Sequence, residues 1–228
     1  WMPLRRSRNQ FFVGILLLFA GANLAFHLLQ MGALEGTPTP YAKFALFLVV
    51  FIVSIMAGRV TPSFTKNAIP SANVRTSAKL DRLALAAIAA ALLAIVSELP
   101  PMLNAALALL AAALQAVRLW RWDPLSTRSR PFLWILHLSY AWIPVGLLLL
   151  AASAVTQRVP QALALHAFGI GAVGGMIMGM ITRTARGHTA RPLQASAAET
   201  TAYALVHAAA LLRVVPPLIL PAAYPASL

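Results

Sequence analysis

Five stretches of the chain run apolar for the length of a membrane span, with polar residues gathered between them. A helix that crosses a bilayer needs about 20 predominantly apolar residues. Residues 11–31, 41–60, 132–155, 161–181 and 200–220 meet that need. Two further stretches, 80–97 and 102–117, are shorter and rich in alanine, and Glu98-Leu99-Pro100-Pro101 joins them. They read as a tight helical hairpin. The pattern predicts an all-α fold: a polytopic transmembrane bundle of about seven spanning helices, in a single domain over 1–228. Prolines such as Pro38, Pro62, Pro100 and Pro160 fall in connections or first turns of this scheme, where a missing N–H costs little. The apolar run from Phe11 has spanning length and no small-residue cleavage site behind a short core, so no cleavable signal peptide is expected.

Composition supports the membrane. The 228 residues are 60% hydrophobic and 10% charged, whereas a soluble domain carries about a quarter charged residues. The apolar surface therefore faces lipid. The chain has no cysteine, which excludes disulfides, thiolate metal sites and Cys-x-x-Cys-His haem attachment. A formal charge of +13 would suggest nucleic acid in a soluble protein, but its placement argues otherwise. Arg5, Arg6 and Arg8 precede the first span. Arg59, Lys66, Arg75, Lys79 and Arg82 surround the second connection, Arg118, Arg121, Arg128 and Arg130 the fourth, and Arg183, Arg186 and Arg191 the sixth. Alternate connections thus hold fifteen of the 18 basic residues. This is the positive-inside bias, and it predicts a cytoplasmic N-terminus and an outer C-terminus. The charge is topological, and nucleic acid is excluded as a partner.

Candidate chemistry rests on five histidines. At 1.5 Å per residue, His27 and His166 stand about 6–8 Å below the outer surface. His137 and His207 stand roughly 9–12 Å in from the cytoplasmic side. Each level offers imidazoles from two helices. Such pairs suit a bis-imidazole haem or a metal ion, or simply interhelical hydrogen bonds, and the sequence leaves these readings open. Gly171, Gly175 and Gly179 recur every four residues, so they form a stripe that Ala167 extends. The stripe admits close approach of another helix, the commoner use, or of a flat macrocycle. A neighbouring face, at Ala172, is expected to tolerate a larger side chain. Met176, Met178 and Met180 read as packing residues. Arg183, Arg186, His188 and Arg191 at the far mouth of this helix either anchor it at the headgroups or bind an anion. The acidic residues map near helix ends or loops, so a relay of buried acids is not expected. Ser-His-Asp, P-loop and zincin motifs are absent from the sequence.

Several segments, in order along nearly the whole chain, resemble the NnrS family. They are NQFFVGILLLFAGANLAFHL (9–28), GRVTPSFTKN (58–67), PFLWILHLSYAWIPVGL (131–147), HAFGIGAVGGMIMGMITRTARGHTARPL (166–193) and ALLRVVPPL (210–218). The most specific is the glycine-rich helix that ends in R-x-x-x-GHT-x-R. Ala190 stands where the family pattern has a second glycine, a mild change. The resemblance implies a multi-pass protein of the bacterial inner membrane, containing haem and copper and linked to nitric oxide metabolism and nitrosative stress. Family members carry further helices on both sides of this region, so the chain is expected to be an internal portion of the family fold or a truncated member. The resemblance also implies a haem- or metal-containing site. His27, His137, His166 and His207 are its candidate cofactor ligands, with His27 and His166 as the metal pair. Arg183, Arg186, His188 and Arg191 would lie at its other end. The competing functions are a transporter, for which a glycine-broken helix is suggestive, and a helical assembly subunit without cofactor.

Overall fold

The computed structural model describes residues 11–219. Arg5, Arg6, Arg8, Asn9, Gln10 and Leu220, used above, lie outside the described residues. Seven helices follow one another: α1 (Phe11–Gln30), α2 (Thr39–Ala68), α3 (Ala78–Val96), α4 (Pro101–Trp120), α5 (Pro131–Val155), α6 (Gln161–His188) and α7 (Ala197–Ile219). Among the described residues there is no strand, and six of these helices are long and apolar enough to cross a membrane. The exception is α3, whose first turns carry Lys79, Asp81 and Arg82. The fold is the expected helical membrane bundle.

The chain forms two compact units that divide at Val49 and Val50. The first contains α1 and the opening turns of α2. On α1 the large side chains Leu16, Leu17, Leu18 and Leu24 are exposed, as a lipid-facing helix requires. In the second unit α5 is the hub, packed against α4, α6 and α7, while α3 and α4 pair as the expected hairpin. Ser77 caps α3, and its hydroxyl accepts from the Leu80 N–H at 3.4 Å.

Two elements run further than the apolar pattern suggests. α2 has 30 residues and passes through Pro62. Pro62 is therefore inside a helix and not in a connection, and Arg59 and Lys66 lie on α2 itself. At 1.5 Å per residue this helix is about 45 Å long, against about 30 Å of hydrocarbon. Likewise α6 carries Arg183, Arg186 and His188 on its final turns.

Residues Ala167–Gly174 of α6 form a π-helical segment that begins directly after His166. Such wide turns are frequent at functional sites. The glycine stripe faces α5: Gly171 backs onto Trp142, Gly175 onto Ser139 and His207, and Gly179 onto Ile135 and Leu136. A Cβ on Gly179 would lie 2.9 Å from Ile135 Cγ2. The close approach thus serves helix packing, the commoner of the two uses. Ala172 corrects an expectation: it is fully buried, so the face beside the stripe has no room either.

Candidate functional site

Two histidines are buried, and each has one ring nitrogen engaged. His137 on α5 is 3% exposed and places Nε2 at 2.9 Å from Thr65 Oγ1 on α2. The Thr65 hydroxyl gives its only proton to the Thr61 carbonyl at 2.9 Å, so it accepts from His137. The neutral imidazole then carries its proton on Nε2, and Nδ1 keeps a lone pair. That Nδ1 is buried with no hydrogen-bond partner among the described residues. The Trp122 ring lies beside it, 6.5 Å between centroids.

His207 on α7, 5% exposed, has the opposite polarity. Trp142 Nε1, which can only donate, donates to His207 Nδ1 at 3.1 Å. The neutral ring therefore holds its proton on Nε2, which is buried without a partner among the described residues. Trp134 flanks the ring at 6.2 Å, and a Cβ on Gly175 would stand 3.0 Å from His207 Cε1. His137 thus presents a lone pair and His207 an N–H. The inner histidines are both interior, but their ring nitrogens go to different partners.

The outer pair is less enclosed. His166 is half-buried at the start of the π segment. His27 is exposed on α1, edge-on to Phe26 at 5.5 Å between centroids, and belongs to the first unit. Of the basic cluster, Arg186 is committed to the chain's own carboxylate. Its Nε lies 2.8 Å from Glu199 Oε1 and its Nη2 2.7 Å from Glu199 Oε2. Glu199 also accepts from the backbone N–H of Ser196 at 2.6 Å, while Ser196 Oγ accepts from the Glu199 N–H at 3.2 Å. This Ser-x-x-Glu capping box opens α7, so Arg186 holds two helices together. Arg183 stacks on the Phe64 ring at 4.0 Å. His188 and Arg191 are exposed.

The charge pattern concealed a further cluster. Arg118, assigned above to the topological bias, is 3% exposed on α4. Its Nε donates to Asp81 Oδ1 at 2.6 Å, and Nη1 to the Ser54 carbonyl at 3.0 Å and to the Tyr140 hydroxyl at 2.9 Å. Tyr140 in turn donates to Gln115 Oε1, and Gln115 Nε2 to the Ala84 carbonyl at 3.0 Å. Four helices meet at this guanidinium, and Gly58 of α2 leaves it room, since a Cβ there would overlap Nη2. A signal existed in the sequence: Ser54, Gly58, Thr61 and Thr65 recur on one face of α2, and Gln115 and Arg118 are helical neighbours on α4.

Among the described residues no three of His, Asp or Glu come close enough to hold a metal ion. No curated protein and no solved structure matches the chain. A family model described as NnrS protein matches residues 2–228, nearly the whole sequence. On that match, and with a multi-pass helical fold to accompany it, the chain belongs to the NnrS family.

Proposed function

We propose that this protein is a haem- and copper-containing membrane protein of the bacterial inner membrane, acting in nitric oxide metabolism or in resistance to nitrosative stress. The observation that carries the proposal is His137. A metal-ligating histidine has a free lone pair on one nitrogen, while the N–H of the other is held by an acceptor that fixes ring and tautomer. His137 has both, with Thr65 as the acceptor. His137 would be the residue of this chain that holds a haem iron or a copper ion through Nδ1, and such a metal would supply the affinity for a small ligand such as nitric oxide.

His207 does not fit as a ligand while Trp142 occupies its Nδ1, because Nε2 then carries the proton. It fits the role of a hydrogen-bond donor to a bound acceptor. A bis-imidazole pair of His137 and His207 is thus disfavoured. His27 and His166 are each a further candidate ligand, and Arg183 stacks on Phe64 where Arg186 pairs with Glu199. The positive-inside bias supports a cytoplasmic position for the Arg183 end of α6.

The test is the absorption spectrum and the haem and copper content per chain of the purified protein. Wild type is compared with alanine variants at His27, His137, His166 and His207. A Soret band, lost in His137→Ala and kept in His207→Ala, supports the assignment. A colourless, metal-free wild type would overturn it and favour a transporter or assembly subunit.

A further inference from the structure

The described residues contain two ion pairs, Arg118 with Asp81 and Arg186 with Glu199. Two other arginines, Arg130 and Arg183, line one cleft of about 290 Å³ between the last residue of α2, the first turn of α5 and the segment after α6. No acidic residue lines it. Ser129 and Gln194 add polar groups, and Phe132, Leu133 and Leu193 an apolar wall. The Phe64 ring, 4.0 Å from the Arg183 guanidinium, holds that side chain from behind. Two guanidinium groups at one cleft without a counter-charge repel each other, and an anion between them removes the repulsion. Guanidinium forks match the oxygens of phosphate in bidentate geometry.

We propose that this cleft binds a phosphate group, that of an anionic phospholipid headgroup. The cleft lies where helix ends meet the headgroup layer, since Arg130 directly precedes the span of α5 and Arg183 lies in the last turns of α6. The apolar wall suits the glycerol and first acyl carbons better than it suits a free ion, which needs only polar partners.

The experiment measures lipid retained by the purified full chain in native mass spectrometry after exchange into phosphatidylglycerol or phosphatidylcholine. A parallel arm titrates inorganic phosphate into lipid-free protein and follows the thermal midpoint. Wild type should retain phosphatidylglycerol over phosphatidylcholine. Arg130→Gln and Arg183→Gln should each lower retention by about tenfold or more, as expected for a charge-assisted hydrogen bond. Arg128→Gln, at an exposed neighbour that does not line the cleft, should change nothing. Arg130→Lys and Arg183→Lys keep the charge and separate loss of the fork from loss of the fold; they should bind more weakly than wild type and melt as it does. A thermal midpoint that rises with phosphate alone and fails to rise in the glutamine variants would assign the cleft to a soluble phosphate and overturn the lipid source. Equal retention of both lipids, or retention unchanged in the glutamine variants, with no response to phosphate, would overturn the site itself.

Discussion

At Ala190 the backbone has φ of 53°, the left-handed region, directly past the end of α6. The Arg191 N–H bonds the Arg186 carbonyl at 3.0 Å, which makes this a Schellman turn, where glycine is the favoured residue. An L-residue pays roughly 1–2 kcal/mol for that conformation. Ala190→Gly, the residue of the family pattern, should therefore raise stability by about 1 kcal/mol after the extra unfolded-state freedom of glycine is subtracted. Thermal unfolding in detergent would show it as a higher midpoint, and an unchanged or lower midpoint would refute it. The Arg118 cluster supports a second test. Removing one partner of a buried pair costs about 3–5 kcal/mol, and Arg118→Ala belongs near the lower figure because Asp81 is 29% exposed. Gly58→Ala should be costly in wild type, where the guanidinium is pinned, and mild once Arg118 is alanine. That non-additivity is the mark of residues in contact, and additive losses would contradict the contact. The chemistry of single residues was only partly legible. Depth counting set four histidines below the membrane surface and did not separate the buried His137 and His207 from the exposed His27. Nor does a linear sequence show that Trp142 donates to His207 or that Thr65 accepts from His137. Arg118 was misread because a basic residue at a helix end satisfies the charge bias equally well whether it meets water or Tyr140.

Among the elements, α6 depends most on its glycines. Gly171, Gly175 and Gly179 pack on α5, whereas a Cβ on Gly169 would meet nothing within 4 Å. Gly171→Ala and Gly175→Ala should therefore cost about 1–3 kcal/mol, the usual range for overpacking. Gly169→Ala should be neutral or slightly stabilising, since alanine is the better helix former. Comparing unfolding midpoints of the three variants decides this; equal tolerance would mean that the stripe does not bear on α5. The helices were legible because lipid imposes a simple rule on each span, and the Glu98–Pro101 turn ended both helices of the hairpin as expected. Their ends were less so. α2 and α6 continue past their apolar runs because a helix end in the headgroup layer needs hydrogen bonds more than hydrophobicity, and charged residues such as Arg59 and Arg186 continue them without penalty. The π segment left no signature in the apolar pattern, because an apolar run rich in glycine and alanine reads the same for an α- and a π-helical turn.

For the whole molecule, alternation of charge between connections predicts that reporters fused after Pro38 and Pro160 lie on one side of the membrane and those after Arg75, Arg128 and Arg191 on the other. Fusions after Pro38 and Arg75 that report the same side would remove α2 as a span. The burial of Arg118 weakens this bias by one charge and leaves its direction intact. It also bears on how the chain enters the bilayer. An unpaired arginine in a span costs on the order of 2.5–3.5 kcal/mol at the helix centre and less in the last turn, where Arg118 stands. Asp81 and Ser54 precede Arg118 in the chain and so are already synthesised when it emerges, while Tyr140 arrives later. The α3–α4 hairpin can therefore be delivered with Arg118 already paired to Asp81, the acid leading and the base following, and α5 then closes over a charge that was never presented to lipid alone. Asp81→Asn should accordingly reduce the amount of protein inserted during synthesis more than it weakens protein already folded, a distinction between biogenesis and stability that pulse-labelled insertion assays can read.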